Sequence, residues 1–144
     1  MDYIFDHVMH EIETILVTSP HSRSHFEKDN NIFIRVKEIA FENGLEPHIG
    51  KLFWKYIRVL HKDWIQASFK DQKNAEYQYN VRLKLHKMIW KFGEENGFET
   101  KITTHLLCLH EAIWHSLMNQ LQAYFVKMNY INSHFTDFKN RFVL

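Results

Sequence analysis

Little in this 144-residue chain bends it or cross-links it. Cys108 is the one cysteine, which excludes an intramolecular disulfide and a thiolate-rich zinc site within one chain, and fits a reducing compartment. Four glycines and two prolines supply few turns, so long helices are expected rather than many short strands. A formal net charge of +1 leaves no field to steer the protein toward nucleic acid or an anionic lipid surface. No run of about eighteen apolar residues occurs, which excludes a conventional membrane-spanning helix. The opening Met-Asp-Tyr-Ile-Phe-Asp-His has neither the basic nor the apolar region of a signal peptide. Glycine-rich phosphate loops and nucleophile elbows are also missing. The expectation is a cytoplasmic protein with no nucleic-acid and no membrane partner.

What the chain has is apolar and aromatic: 45% hydrophobic residues and 15% aromatic, against 24% charged. That supports a single domain over residues 1–144, burying roughly two-thirds of the surface its unfolded form exposes. The spacing of the apolar residues is helical throughout. Ile4, Phe5, Val8, Met9, Ile12, Ile15 and Leu16 share one face of a first helix over Asp2–Val17, opposite Asp6, His7, His10 and Glu13. Ser19-Pro20 ends it, and the polar stretch to Asn30 reads as a loop in which Asp29 or Asn30 caps the next helix. A second helix, Asn30 to Asn43, buries Ile32, Val36, Ile39 and Ala40. A third, Pro47 to Phe69, turns Ile49, Phe53, Tyr56, Leu60, Trp64 and Ala67 inward. Asp71 to Glu76 reads as a connection. Val81, Leu85, Met88, Ile89 and Phe92 then mark a fourth helix ending at Gly97, and a fifth runs from Thr100 to Asn129 with a break expected near its end. Phe135, Phe138 and Phe142 mark a short closing helix. No segment alternates with period two, so the fold class is an all-α bundle of five or six helices.

An offset of 53 residues superimposes Glu42-Asn43-Gly44-Leu45-Glu46 on Glu95-Asn96-Gly97-Phe98-Glu99. Apolar positions then coincide: Val36 with Ile89, Ile49 with Ile102, Phe53 with Leu106, Leu60 with Ile113. Two readings stand side by side, a duplicated hairpin and the general likeness of any two helices joined by a glycine.

Around the first of these corners, Arg35-Val36-Lys37-Glu38-Ile39-Ala40, then Gly44-Leu45-Glu46-Pro47, then Phe53-Trp54-Lys55 and Ile57 follow one another. Residues 28 to 60 thereby resemble, without a gap, the all-helical chorismate mutases and their relatives the isochorismate-pyruvate lyases. The resemblance covers about a quarter of the chain. It implies a chorismate-mutase-like hairpin and a site that clamps two carboxylates with Arg or Lys and offers a donor to an ether oxygen. It sets Lys28 where the family has a second-helix arginine, Asp29 where it has a glutamate and His61 where it has a third-helix serine, which makes these three the implied catalytic residues. Lys is a poorer clamp than Arg, because a point charge does not reproduce a guanidinium fork. Ile65 replaces a polar Gln or Glu, and residues 1 to 18 contain no Arg or Lys to match the family's first-helix arginine. Arg23 is the nearest substitute. With Arg35, Arg58 and Lys62 it would complete an anion pocket, the competing reading being solvated charge on helix surfaces. The implied protein binds or isomerises a small anionic metabolite, a chorismate-type dicarboxylate, with changed or lost chemistry, as a homodimer and without a cofactor. The alternative is a non-catalytic helical interaction or oligomerisation module, whose aromatic faces on the third and fifth helices bury a partner.

The fifth helix carries a second candidate surface. His105, Cys108, Glu111, His115, Asn119 and Gln122 form one stripe opposite Leu106, Leu109, Ile113, Leu117 and Leu121. If the second hairpin supplies the site, Glu111, His115 and Asn119 line it; otherwise the stripe faces solvent. Eleven histidines raise the question of metals. His7 with His10 or Glu11, joined by His61, His110, Glu111 or His115, would be the set, but repeated Glu-x-x-His pairs and a His-Glu-x-x-His helix are both missing, so no metal is expected. Cys108 reads as a half-buried structural thiol, and Trp54, Trp64, Trp90 and Trp114 read as core.

Overall fold

Helical apolar spacing and the scarcity of glycine and proline produce six α-helices among the described residues, and no strand. They are α1 (Tyr3–Val17), α2 (Arg23–Glu42), α3 (Glu46–Leu60), α4 (Phe69–Lys73), α5 (Ala75–Glu95) and α6 (Thr100–Phe142). The structure is a computed structural model that describes the backbone of residues 3–17 and 23–142 and the side chains of residues 3–17, 29–125 and 127. Helix α6 packs against α1, α2 and α5, while α3 packs against α1 and α5, so α3 and α6 form the centre of the bundle. Among the described residues no helix is long and apolar enough to cross a membrane.

The core is the set of inward stripes these contacts bring together. Val8, Met9 and Ile12 of α1 meet Ile49, Phe53 and Tyr56 of α3, Val81, Leu85 and Ile89 of α5, and Leu106, Leu109 and Ile113 of α6 in one continuous apolar cluster. Each side chain of this kind contributes about 1.5–3 kcal/mol when fully removed from water. Gly50 lets α1 lie close to α3: a Cβ there would stand 3.0 Å from the backbone of Phe5.

The two glycine corners are built alike. Gly44 and Gly97 have φ of 63° and 66°, which an L side chain rarely adopts. At the first corner Leu45 N–H donates to Ala40 O (2.8 Å), at the second Phe98 N–H donates to Gly93 O (2.9 Å), and both glycine N–H groups reach the carbonyl three residues back at 3.3 Å. The side chains of Asn43 and Asn96 likewise cap Ile39 O and Phe92 O, each at 2.9 Å. The offset of 53 therefore holds bond for bond at the corners.

Elsewhere the boundaries differ from the sequence reading. Helix α2 begins at Arg23, so Asp29 and Asn30 lie inside it and not at its start. The third helix leaves α geometry after Leu60: residues His61–Ile65 form a π-helical segment, with Gln66 N–H donating to His61 O at 3.0 Å. Carbonyls freed where the helix ends are taken up by side chains, Gln72 Nε2 donating to Trp64 O (2.7 Å) and the Tyr77 hydroxyl to Asp63 O. Phe69–Lys73 forms a short helix where a connection was expected, with Ser68 Oγ accepting from Asp71 N–H. Helix α6 is continuous through Phe142, in place of a broken helix and a separate closing one. The side chains of Phe135, Phe138 and Phe142 lie outside the described residues. Ile4 is exposed rather than inward, and so are Trp54 and Trp90, while Trp64 and Trp114 are buried with ring centroids 5.1 Å apart.

Candidate functional site

On α6, His110 falls four residues after Leu106 and three before Ile113, which places it on the apolar face beside the polar stripe. It is fully buried. Its Nδ1 is hydrogen-bonded to the hydroxyl of Tyr56, equally buried on α3, at 2.6 Å. Its other nitrogen, Nε2, has no hydrogen-bond partner among the described residues. The nearest carboxylate oxygen, Glu111 Oε1, is 3.9 Å away, beyond hydrogen-bond reach.

Helix α5 brings a second histidine to the same point. Arg82 and His86 are four residues apart and so share a face. The His86 ring centroid lies 6.3 Å from that of His110, with the planes at 68°. Arg82 Nε donates to Glu111 Oε1 at 3.3 Å and Arg82 Nη2 to Glu111 Oε2, a two-pronged pair with both side chains about half exposed. The ligating atoms of His86, His110 and Glu111 all lie within 4.8 Å of one another.

Electrostatics follow from the burial. His110 is held down to about 4 from an ordinary 6.5, chiefly because burial penalises the charged ring; Glu111 and a weak hydrogen bond to the Arg82 backbone oppose this, and the charges of His86 and Arg82 add to it. It is a neutral imidazole at pH 7. The Tyr56 hydroxyl is pushed well above its ordinary value by burial and then by Glu111, so it keeps its proton. The pair is a buried neutral polar contact within a hydrocarbon core.

Three cavities meet at Glu111. The largest of them, about 500 Å³, is lined by Asp29 of α2, His86 of α5 and Cys108, Glu111 and His115 of α6. A second of about 330 Å³ runs past Arg82, Trp114 and His115, and a third of about 220 Å³ past Tyr79, Arg82 and His86. Away from them, a shallow groove of about 1000 Å³ between α1, α2 and the start of α3 is lined by Tyr3, Ile4, Ile34 and Phe41. That groove is larger but carries no comparable cluster of chemically active groups.

Of the residues singled out from the sequence, Asp29, Glu111 and His115 come together in one cavity. Asn119 is half-buried one turn beyond His115. Arg35 is spent along its own helix, on Glu38 (3.1 Å) and Glu42 (3.4 Å). Arg58, His61 and Lys62 are exposed at the end of α3 and in the π-helical segment, and none of them lines the cavities described above. Arg23 and Lys28 belong to α2, with side chains outside the described residues. Cys108 is exposed, not half-buried. His7, His10 and Glu11 are exposed on α1, and it is His86 that joins His110 and Glu111.

His86, Arg82 and Tyr56 were missed as site residues. A signal for His86 lay in the offset of 53, which sets it against Phe33, a buried aromatic in the first hairpin. A histidine at a core-equivalent position, like His110 on an apolar stripe, marks polarity where the pattern asks for hydrocarbon. Comparison of the chain with protein-family models, curated proteins and solved structures finds no match.

Proposed function

We propose that this protein is a small-ligand-binding helical bundle whose site is the cavity between α2, α5 and α6. The observation that carries this reading is His110, an imidazole buried in the core with one nitrogen on Tyr56 and the other 3.9 Å from Glu111 Oε1. A buried polar group costs free energy unless something meets it, and His110 stands just behind the cavity wall, beside Glu111 and His86, which do line the cavity. The resemblance to chorismate mutases supports a chorismate-type dicarboxylate through the helical corner alone. Of its cations among the described residues, Arg58 and Lys62 are exposed and Arg35 is engaged along α2, whereas the cavity presents two carboxylates, Asp29 and Glu111, and two histidines. Even with Arg82 paired to Glu111, the lining has no cation left over among the described residues to clamp a dianion, and it favours a small polar ligand that brings hydrogen-bond donors.

The test is thermal unfolding with amines, amino acids, chorismate and simple dicarboxylates. A ligand of this site at about a hundred times its Kd adds about 2.7 kcal/mol of stability. The increment disappears in Glu111→Gln. If no member of the panel raises the Tm, the small-ligand reading is wrong, and chorismate alone doing so would return the site to the first hairpin.

A second reading, self-association, is supported by the groove between α1 and α2. Tyr3 and Phe41 are 77% and 78% exposed there, flanked by Ile4 and Ile34. Lys37 and Glu38 on α2 and Glu46 at the start of α3 give the same surface both charge signs, as a two-fold interface between copies requires.

A further inference from the structure

We infer that His86, His110 and Glu111 form a binding site for one divalent first-row transition-metal ion of the zinc type. The inference rests on the reading that the ligand site lies in the α5–α6 region, and it names the class of occupant. Two imidazoles and one carboxylate, from two different helices, are the donor set that zinc and its neighbours prefer. Their ligating atoms lie within 4.8 Å of one another. Tetrahedral zinc with bonds of about 2.0–2.1 Å holds its ligands about 3.3 Å apart, so rotation of the half-buried His86 and Glu111 side chains closes the site around the fixed ring of His110.

Two further features point the same way. The Nε2 of His110 is buried 3.9 Å from Glu111 Oε1 and has no partner at full hydrogen-bond geometry among the described residues. The other nitrogen of that ring is held by Tyr56 at 2.6 Å, the arrangement by which a second contact fixes the orientation of a metal-ligating histidine. For Nε2 to offer its lone pair, the ring carries its proton on Nδ1 and donates it to the Tyr56 oxygen.

Arg82 is the group the ion displaces. It now neutralises Glu111 from the solvent side with a half-exposed side chain, a weak pair that yields to a divalent charge. Three protein ligands leave a fourth position for water or for a donor of a bound small molecule. That position connects the ion to the polar ligand expected in the adjoining cavity.

The experiment is titration of the full, tag-free chain with Zn²⁺ by calorimetry and with Co²⁺ by visible absorption, in wild type and in His86→Ala and Glu111→Gln, with circular dichroism confirming that each folds. The expected result is one ion per chain, the intense visible bands of four-coordinate cobalt, and an affinity about a hundredfold weaker or less in either variant. Absence of one-to-one binding overturns the proposal. So does binding that both variants retain, which would come from the other histidines of the eleven. The ligand panel repeated in chelator separates the two readings. A small molecule that still stabilises the protein there, with no metal bound in the titrations, sinks the metal site and leaves the ligand site standing; failure of both experiments removes both.

Discussion

An imidazole and a phenol placed among leucines and isoleucines each lose their hydration, and their shared hydrogen bond offsets only part of that loss. For His110 the consequence is a pH dependence whose sign is fixed. The groups facing it are Tyr56 on α3, His86 and Arg82 on α5 and the adjacent Glu111. Its value in the folded protein, about 4, lies below the 6.5 of the unfolded chain. The unfolded state therefore takes up a proton first as pH falls. Stability attributable to this residue is complete above about pH 6.5, declines as pH falls toward 4 and levels off below it, a loss on the order of 3 kcal/mol. Urea unfolding at pH 7 and pH 4.5 measures it. The double variant Tyr56→Phe with His110→Phe should flatten that interval, since it removes both partners together. Tyr56→Phe alone should cost about 1–3 kcal/mol at pH 7 by stranding Nδ1.

Among the elements, the glycine corners and the α1–α3 contact set different kinds of cost. Gly97→Ala meets no atom within 4 Å, so its cost is backbone strain at positive φ alone, about 1 kcal/mol. Gly50→Ala should cost more, about 1–3 kcal/mol, although alanine is the better helix former, because the new methyl meets the Phe5 backbone, which moves only if α1 moves. Urea midpoints of the two variants rank them, and a Gly50→Ala protein more stable than wild type would show that α1 does not hold its position. The corners were readable because three adjacent letters, Glu-Asn-Gly, specify a helix stop locally. The start of α2 was not, because Asp29 and Asn30 are residue types favoured at a helix start and drew the expected boundary to themselves. Nor was the π-helical segment, since Leu60 and Trp64 keep an ordinary helical spacing through it. The break expected in α6 had no sequence basis: no glycine or proline occurs between Thr100 and Phe142.

For the whole molecule, the groove between α1 and α2 carries the remaining prediction. Light scattering should give a dimer in the micromolar range, and Phe41→Asp should return it to monomer by placing a charge in the apolar contact. A wild-type chain that stays monomeric throughout that range excludes the self-association reading. The candidate site was legible in part. Glu111 and His115 were visible as a polar stripe on one helix, and Asp29 was named through the resemblance for a different pocket. Arg58, His61 and Lys62 were named through the same alignment, which orders residues along a chain but does not say which of them face solvent.

By itself the sequence determined the all-helical class, the inward stripes and both corners, because helical period and glycine conformation act over a few neighbouring residues. Which polar groups meet was decided only in three dimensions. His86 and His110 are 24 residues apart and Tyr56 is 54 from His110, and no local pattern links them. They converge because α3, α5 and α6 must bury their apolar faces against one another, and the polar residues on those faces are carried inward with them.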